Sequence, residues 1–191
     1  MNAIILAGGL ALRMGGTTKA FLRLDGERFI DRILRVLGPL FEAFIVVTNE
    51  PELFAGLGVR VVRDEREGVG PLMGLYSGLK ASVSTTSFIT AADTPLVNET
   101  LVRRLLGIGE ECDVLAPRWN GNVEPLCAVY ARRCLPAIES VLDRGRIVSF
   151  FPLVRVCYLE EAIVRALDPR GLSFFNVNSP ADYDALQSLG G

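Results

Sequence analysis

Five apolar runs of strand length, AIILA (3–7), FIVVT (44–48), VRVV (59–62), SFITAA (87–92) and DVLA (113–116), alternate with segments whose apolar residues recur at helical spacing. Phe29, Ile30, Ile33, Leu34, Leu37, Leu40 and Phe41 share one face of such a segment. Leu101, Val102, Leu105 and Leu106 do the same, as do Leu135, Ile138, Val141 and Leu142. Strands alternating with amphipathic helices build βαβ units around a mainly parallel sheet. AIILA and FIVVT are apolar on both faces, as strands covered from both sides must be. The pattern predicts an α/β chain: a three-layer, Rossmann-like fold with a mainly parallel central sheet flanked by helices. Without an internal repeat, linker or low-complexity stretch, the 191 residues read as a single domain over 1–191.

Two local signals refine this. Asp25-Gly26, between FLRL and ERFI, is a two-residue turn signal and predicts a small hairpin. Ser179-Pro180-Ala181-Asp182 reads as an N-cap, a proline at the first helical position and a capping-box acid. It opens a short helix with Tyr183, Leu186 and Leu189 on its apolar side.

Composition narrows the chemistry. With 20 basic and 22 acidic residues the net charge is -2, unlike the strongly basic footprint of a nucleic-acid binder. A small polyanion needs only a local cluster of cations and stays open as a ligand. No apolar stretch approaches the ~20 residues of a membrane span. The opening MNAIILAGG has neither a basic n-region nor a long apolar run, so the expectation is no signal peptide and a cytoplasmic location. The chain has no histidine, which removes Cys/His zinc sites and every Ser-His or Cys-His triad. Cys112, Cys127, Cys134 and Cys157 form no C-x-x-C pair and read as small core thiols in a reducing compartment.

In an open α/β sheet, ligands sit beyond the carboxyl ends of the strands. Gly8 and Gly9 follow the first run, Asn49 the second, Asp64 the third and Asp93 the fourth, so these residues would converge on one rim. The glycine loop, LAGGLALRMGGTTK over 6–19, is not a P-loop: five residues separate Gly9 from Gly15, and Lys19 comes three after Gly16. A dinucleotide fingerprint is absent as well. Gly68, Gly70 and Gly74 come near one, but the third glycine is a place late. The glycines alone fit a plain turn equally well; Arg13 and Lys19 beside them make a nest suited to a polyphosphate. Asp93, followed by Thr94-Pro95, is placed to hold magnesium, which takes one or two carboxylates plus phosphate oxygens. Asn98 is better placed than Asp93 to cap the next helix. Asp64 lies in the charged run Arg63-Asp64-Glu65-Arg66-Glu67 and fits a solvated turn equally well, and Asn49 alone is an ordinary loop residue.

The ordered set L-A-G-G-x-x-x-R-M-G-G-x-x-K, Gly70-Pro71-Leu72-Met73-Gly74, A-x-D-T-P over 91–95 and Phe175-Asn176-Val177-Asn178-Ser179-Pro180 resembles the molybdenum cofactor guanylyltransferases, from Met1 to about Leu186. The opening motif is shared by the wider nucleotide-diphospho-sugar transferase-like superfamily; the double glycine and the closing motif look like the guanylyltransferase branch. The resemblance implies transfer of GMP from GTP to molybdenum-bound molybdopterin, with release of pyrophosphate. It implies that the main chain of Leu6, Ala7 and Gly8 cradles the nucleotide, that Arg13 and Lys19 grip the triphosphate, and that Asn49 and Asp64 lie on the base or ribose side. Asp93 would bind Mg2+ and, with Arg13 and Lys19, make the catalytic set. Gly70 and Gly74 would allow close approach of substrate, with Asn176 and Asn178 lining the far side. Transient partners in cofactor synthesis and delivery go with such a role. One departure stands out: many members have His-Pro where this chain has Glu124-Pro125. The acceptor's nucleophile is a phosphate oxygen, already anionic at pH 7, so chemistry without histidine fits. The rival readings are a cytidylyltransferase for the same pterin, a transferase for another small metabolite, or a non-catalytic nucleotide-binding regulator or carrier.

Overall fold

The structure, a computed structural model, describes residues 1–8, 13–14, 17–107 and 111–189. In chain order the strands are β1 (Asn2–Leu6), β2 (Arg13–Met14), β3 (Thr17–Thr18), β4 (Arg23–Leu24), β5 (Glu27–Arg28), β6 (Ala43–Val47), β7 (Arg60–Val62), β8 (Thr86–Ala91), β9 (Val114–Trp119), β10 (Asn122–Val123), β11 (Cys127–Ala131) and β12 (Val156–Leu159). The α-helices are α1 (Phe29–Leu37), α2 (Pro71–Ala81), α3 (Glu99–Leu106), α4 (Leu135–Glu139), α5 (Glu161–Leu167) and α6 (Pro180–Leu189).

The main sheet runs β10-β9-β11-β8-β1-β6-β7, with β12 also paired to β9. β1 lies between β6 and β8, parallel to both, and every one of its residues is buried. Leu6 is level with Val47 and with Ala91, and Val47 with Val62, so four parallel strands end on one rim. Three further bonds carry the ladder toward that rim: Ala7 N–H to Val47 O (2.8 Å), Thr48 N–H to Val62 O (2.9 Å) and Ala92 N–H to Leu6 O (2.9 Å). The mainly parallel α/β sheet expected from the alternating pattern is therefore present. It is mixed, because β11 is antiparallel to both β8 and β9. β10, β11 and β12 carry no strand assignment from sequence, although CAVYA of β11 and VCYL of β12 are apolar runs of strand length.

Each face of the sheet is covered. Leu72, Leu75 and Leu79 of α2 pack with Ile4 and Val47 on one face, together with Ile138 of α4. Ile30, Ile33 and Leu37 of α1 join Leu101, Leu105 and Val164 on the other. The helix predicted over 135–142 stops at Glu139, and Leu142 instead opens a 3-10 turn. Asn98 caps α3 by accepting from Leu101 N–H at 3.1 Å. Asp25 and Gly26 join β4 to β5 with φ of 53° and 81°, the two left-handed positions of a tight hairpin.

α2 lies close on the sheet because Gly78 faces it. A Cβ at Gly78 would stand 2.5 Å from Cγ2 of Ile4 and 3.2 Å from Cγ2 of Val47, both β-branched and buried. Gly78→Ala gains helix propensity of ~1 kcal/mol but overpacks this contact. We expect a net loss of about 1–2 kcal/mol, read as a fall of roughly 2–8 °C in melting temperature.

α6 docks on the β4–β5 hairpin. Tyr183 Oη and Gln187 Nε2 both donate to Arg23 O, at 2.6 and 2.8 Å, and Leu186 joins Leu24, Phe29 and Val177 in a small buried cluster. The expected capping box is formed: Asp182 Oδ2 accepts from the N–H of Asn178 (2.9 Å) and Ser179 (2.8 Å), and Ser179 Oγ accepts from Asp182 N–H (3.2 Å).

The cysteine expectation needs a correction. Cys127 and Cys134 are buried thiols as expected, but Cys112 and Cys157 form a disulfide with Cα atoms 5.8 Å apart. The parallel pairing of β12 with β9 sets Cys157 level with Leu115, close to the start of β9, and this brings two cysteines 45 residues apart together. No sequence spacing reports that pairing.

Candidate functional site

The rim at the carboxyl ends of β1, β6, β7 and β8 gathers most of the sequence-selected residues. Beyond β1 the ladder uses Ala7 N–H and Leu6 O, so Gly8 is the first exposed main chain there. A Cβ on Gly8 would meet Asp64 Oδ2 at 3.5 Å, and one on Gly74 would meet Asp64 Oδ1 at 3.6 Å and the Leu6 methyls at 3.4 and 3.6 Å. The carboxylate of Asp64 thus sits between two glycines that leave it room. Asn49 holds it reciprocally: Nδ2 donates to Asp64 Oδ2 and Oδ1 accepts from Asp64 N–H, each at 3.3 Å. Asp64 Oδ1 is buried with no hydrogen-bond partner among the described residues. Burial raises the carboxyl above the ordinary aspartate range, against the Asn49 bond, which pulls it down. A surface turn would leave Asp64 solvated; here one of its carboxylate oxygens is buried against Gly74 and Leu6.

One strand over, Lys19 opens the 3-10 turn after β3 and is only 1% exposed. Its Nζ donates to Asn178 Oδ1 at 2.8 Å and lies 3.5 Å from Asp93 Oδ2. Asp93 follows β8 and is 7% exposed. Burial pushes its carboxyl up, and the Lys19 ammonium opposes this without cancelling it. Val177 N–H donates to Asp93 O at 3.0 Å, which ties the Asn176-Val177-Asn178 segment to the end of β8. Asn178 is in turn fixed by Asp182, whose carboxyl the main-chain N–H of Asn178 and the Ser179 groups hold below the usual range. Asn176 is half-buried and donates to Phe174 O at 3.3 Å.

Arg13 pairs through its backbone with Thr18, one residue before Lys19. Its side chain lies outside the described residues, as do Gly9, Gly15 and Gly16. Gly70 (φ 101°) opens α2 against a turn that sequence reasoning missed: its Cβ would be 3.0 Å from Gly145 O, which accepts from Leu72 N–H at 3.1 Å. Arg144 and Arg146 flank Gly145, exposed, at this edge of the rim. An R-G-R triplet is the only sequence signal there, and nothing local links it to Gly70.

Among the described residues no cluster of three or more Cys, Asp or Glu is placed to hold a metal. Next to the Lys19 cation, Asp93 offers a carboxylate oxygen and Asn178 an amide oxygen. That suits magnesium, which draws most of its ligands from water and substrate phosphates. No helix among the described residues is long and apolar enough to cross a membrane.

The comparisons with known proteins agree with one another. The family model for the MobA-like NTP transferase domain matches residues 3–156. A molybdenum cofactor guanylyltransferase of Desulfosudis oleivorans is 35% identical over 191 residues, covering 98% of this chain and 95% of that protein. A probable molybdenum cofactor guanylyltransferase of Pelotomaculum thermopropionicum is 38% identical, covering 95% and 89%. The crystal structure of molybdopterin-guanine dinucleotide biosynthesis protein A from Archaeoglobus fulgidus superposes with a TM-score of 0.83 at 25% identity, over 99% of this chain and 98% of that one.

Proposed function

Because the chain belongs to the MobA-like NTP transferase family, we infer that it transfers GMP from GTP to molybdenum-bound molybdopterin, yielding the guanine dinucleotide cofactor and pyrophosphate. The observation that carries this is the buried Lys19–Asp93 pair beside the Gly8–Asp64–Gly74 cradle, on the rim where such sheets bind ligands.

In this reading guanosine lies over Gly8 with the Asp64 carboxylate on its base or ribose side, and Asn49 keeps that carboxylate aimed. Lys19, and Arg13 from the adjoining hairpin, take the triphosphate. The terminal phosphate oxygen of the pterin attacks the α-phosphorus; a new P–O bond forms as the bond to the β-phosphate oxygen breaks, and pyrophosphate leaves. No proton has to be removed from the nucleophile, so the reaction needs no histidine. The barrier is the meeting of two anions, lowered by fixed positive charge and positioning. Mg2+, held by Asp93 with the phosphate oxygens, would supply further charge neutralisation. Gly70 and Gly74, with Asn176 and Asn178, admit and flank the acceptor, and Arg144 and Arg146 add positive charge where its phosphate approaches. A cytoplasmic location and brief contacts with proteins that make or receive the cofactor go with this role.

The test is a thermal-shift panel of GTP, CTP and ATP with and without magnesium, followed by pyrophosphate release with molybdopterin. A nucleotide at 100 times its Kd adds about 2.7 kcal/mol to the native state. GTP is expected to stabilise more than CTP, and more with magnesium than without. Preference for CTP would move the assignment to a cytidylyltransferase, and nucleotide binding without pyrophosphate release would make the protein a carrier or regulator.

A further inference from the structure

Glu124 has no role in the account above, yet the chain goes to some length to place it. Arg118 of β9 faces Val123 of β10, while Leu115 faces Val129 of β11, so three steps along β9 match six along its partner. The surplus is a bulge at Glu124-Pro125-Leu126. It is locked by Glu124 N–H to Pro117 O at 2.9 Å, Cys127 N–H to Glu124 O at 3.3 Å, and Oη of fully buried Tyr130 to Pro125 O at 2.7 Å. Bulges of this kind re-aim side chains beside active sites. On the other edge Cys127 pairs with Thr90, antiparallel, so Glu124 lies three residues before that pair and Asp93 three after it. Both stand beyond the same end of the ladder, on the rim of the candidate site.

The Glu124 carboxyl is half-buried and has neither a hydrogen bond nor an ion pair among the described residues. Burial alone pushes it up to about 7. A half-buried carboxylate without a donor carries a desolvation cost, and a neutral glutamine there would lessen it. The position makes sense if its donor arrives with a ligand.

The rim shows which ligand. In the order β11-β8-β1-β6, Asn49 follows β6, Lys19 and Asp93 serve β1 and β8, and Glu124 precedes β11. Asn49 and Glu124 are three strand spacings apart, roughly 15 Å, with the phosphate-binding groups between them. A product with two ring systems joined through a pyrophosphate has this layout, and the guanine occupies the Asn49 end. We propose that Glu124 reads the acceptor, accepting the paired donors of its pterin ring, the 2-amino group and the adjacent ring N–H, in a two-pronged carboxylate contact. Such paired contacts give geometric selectivity as well as strength. The inference rests on the guanylyltransferase reading.

The test uses the whole protein at pH 8. Glu124→Gln is assayed for pyrophosphate release with GTP saturating and molybdenum-loaded molybdopterin varied, then the reverse. The acceptor KM is expected to rise roughly 10- to 100-fold, the range for losing one paired contact. The GTP KM stays within about twofold, and the free variant melts higher than wild type because a neutral amide replaces the desolvated carboxylate. A second arm needs no variant: a 6-substituted pterin should inhibit the wild type better than the matching lumazine, which has oxygen for the 2-amino group. Unchanged acceptor KM in Glu124→Gln, or equal inhibition by pterin and lumazine, overturns the inference while wild-type turnover leaves the guanylyltransferase reading standing. A wild type that makes no guanylylated pterin overturns both.

Discussion

Lys19→Ala is expected to lower turnover about 10³-fold, the upper range for loss of one preorganised charge contact. At 1% exposure, with Asn178 at 2.8 Å and Asp93 at 3.5 Å, the ammonium is a fixed charge held away from bulk water. The variant also leaves Asp93 buried without a counter-charge, and breaking such a pair costs ~3 kcal/mol or more. The burial that raises the Asp93 carboxyl would then act unopposed. The sign follows: a carboxyl whose folded pKa lies above its unfolded value is stabilising while protonated, and that stability is lost as pH rises. The variant should therefore lose more stability at pH 8 than at pH 5. A companion Lys19→Ala/Asp93→Asn protein separates the effects, since removing the orphaned charge restores stability without restoring turnover. Pyrophosphate release at saturating GTP and chemical denaturation at the two pH values are the measurements. Turnover within tenfold of wild type in Lys19→Ala would remove Lys19 from the catalytic set.

Opening the Cys112–Cys157 disulfide should have the largest effect on stability alone. It closes a span of 45 residues, for which loop-closure entropy gives about 4 kcal/mol. For a chain of this size that corresponds to a fall of roughly 8–16 °C in melting temperature, in Cys112→Ser or under a strong thiol-free reductant. Activity at 25 °C should persist. Cys112 precedes β9, which runs parallel to β8 because both are antiparallel to β11, so the bridge lies at the sheet end opposite the rim. The four-residue pairing of β12 with β9 remains after reduction. A melting temperature indifferent to reductant would show that the bridge adds no stability.

These two cases mark what could be read from sequence. Asp93 was legible because it follows a strand whose apolar run is continuous, and the carboxyl ends of parallel strands converge; Lys19 was legible as the cation that ends the glycine loop after the first strand. The hairpin at Asp25-Gly26 and the capping box at Ser179–Asp182 were legible because their chemistry lies within a few residues. The disulfide was not, since it depends on β12 returning to pair beside β9. Asp64 stayed ambiguous for a similar reason. Its charged neighbours describe a surface turn, and only Asn49, Gly8 and Gly74, all from other segments, show that its carboxylate points inward. The turn at Gly145 that meets Gly70 is likewise a product of packing, with no period or motif to announce it.

The bond from Lys19 to Asn178 spans 159 residues, and α6 holds both ends through Asp182 and through Arg23 O. A chain emerging from the ribosome has its glycine loop, its lysine and its aspartate long before it has the asparagine that aims the lysine. The parallel core can assemble early, but the Lys19–Asn178 bond closes only after the last helix has been made.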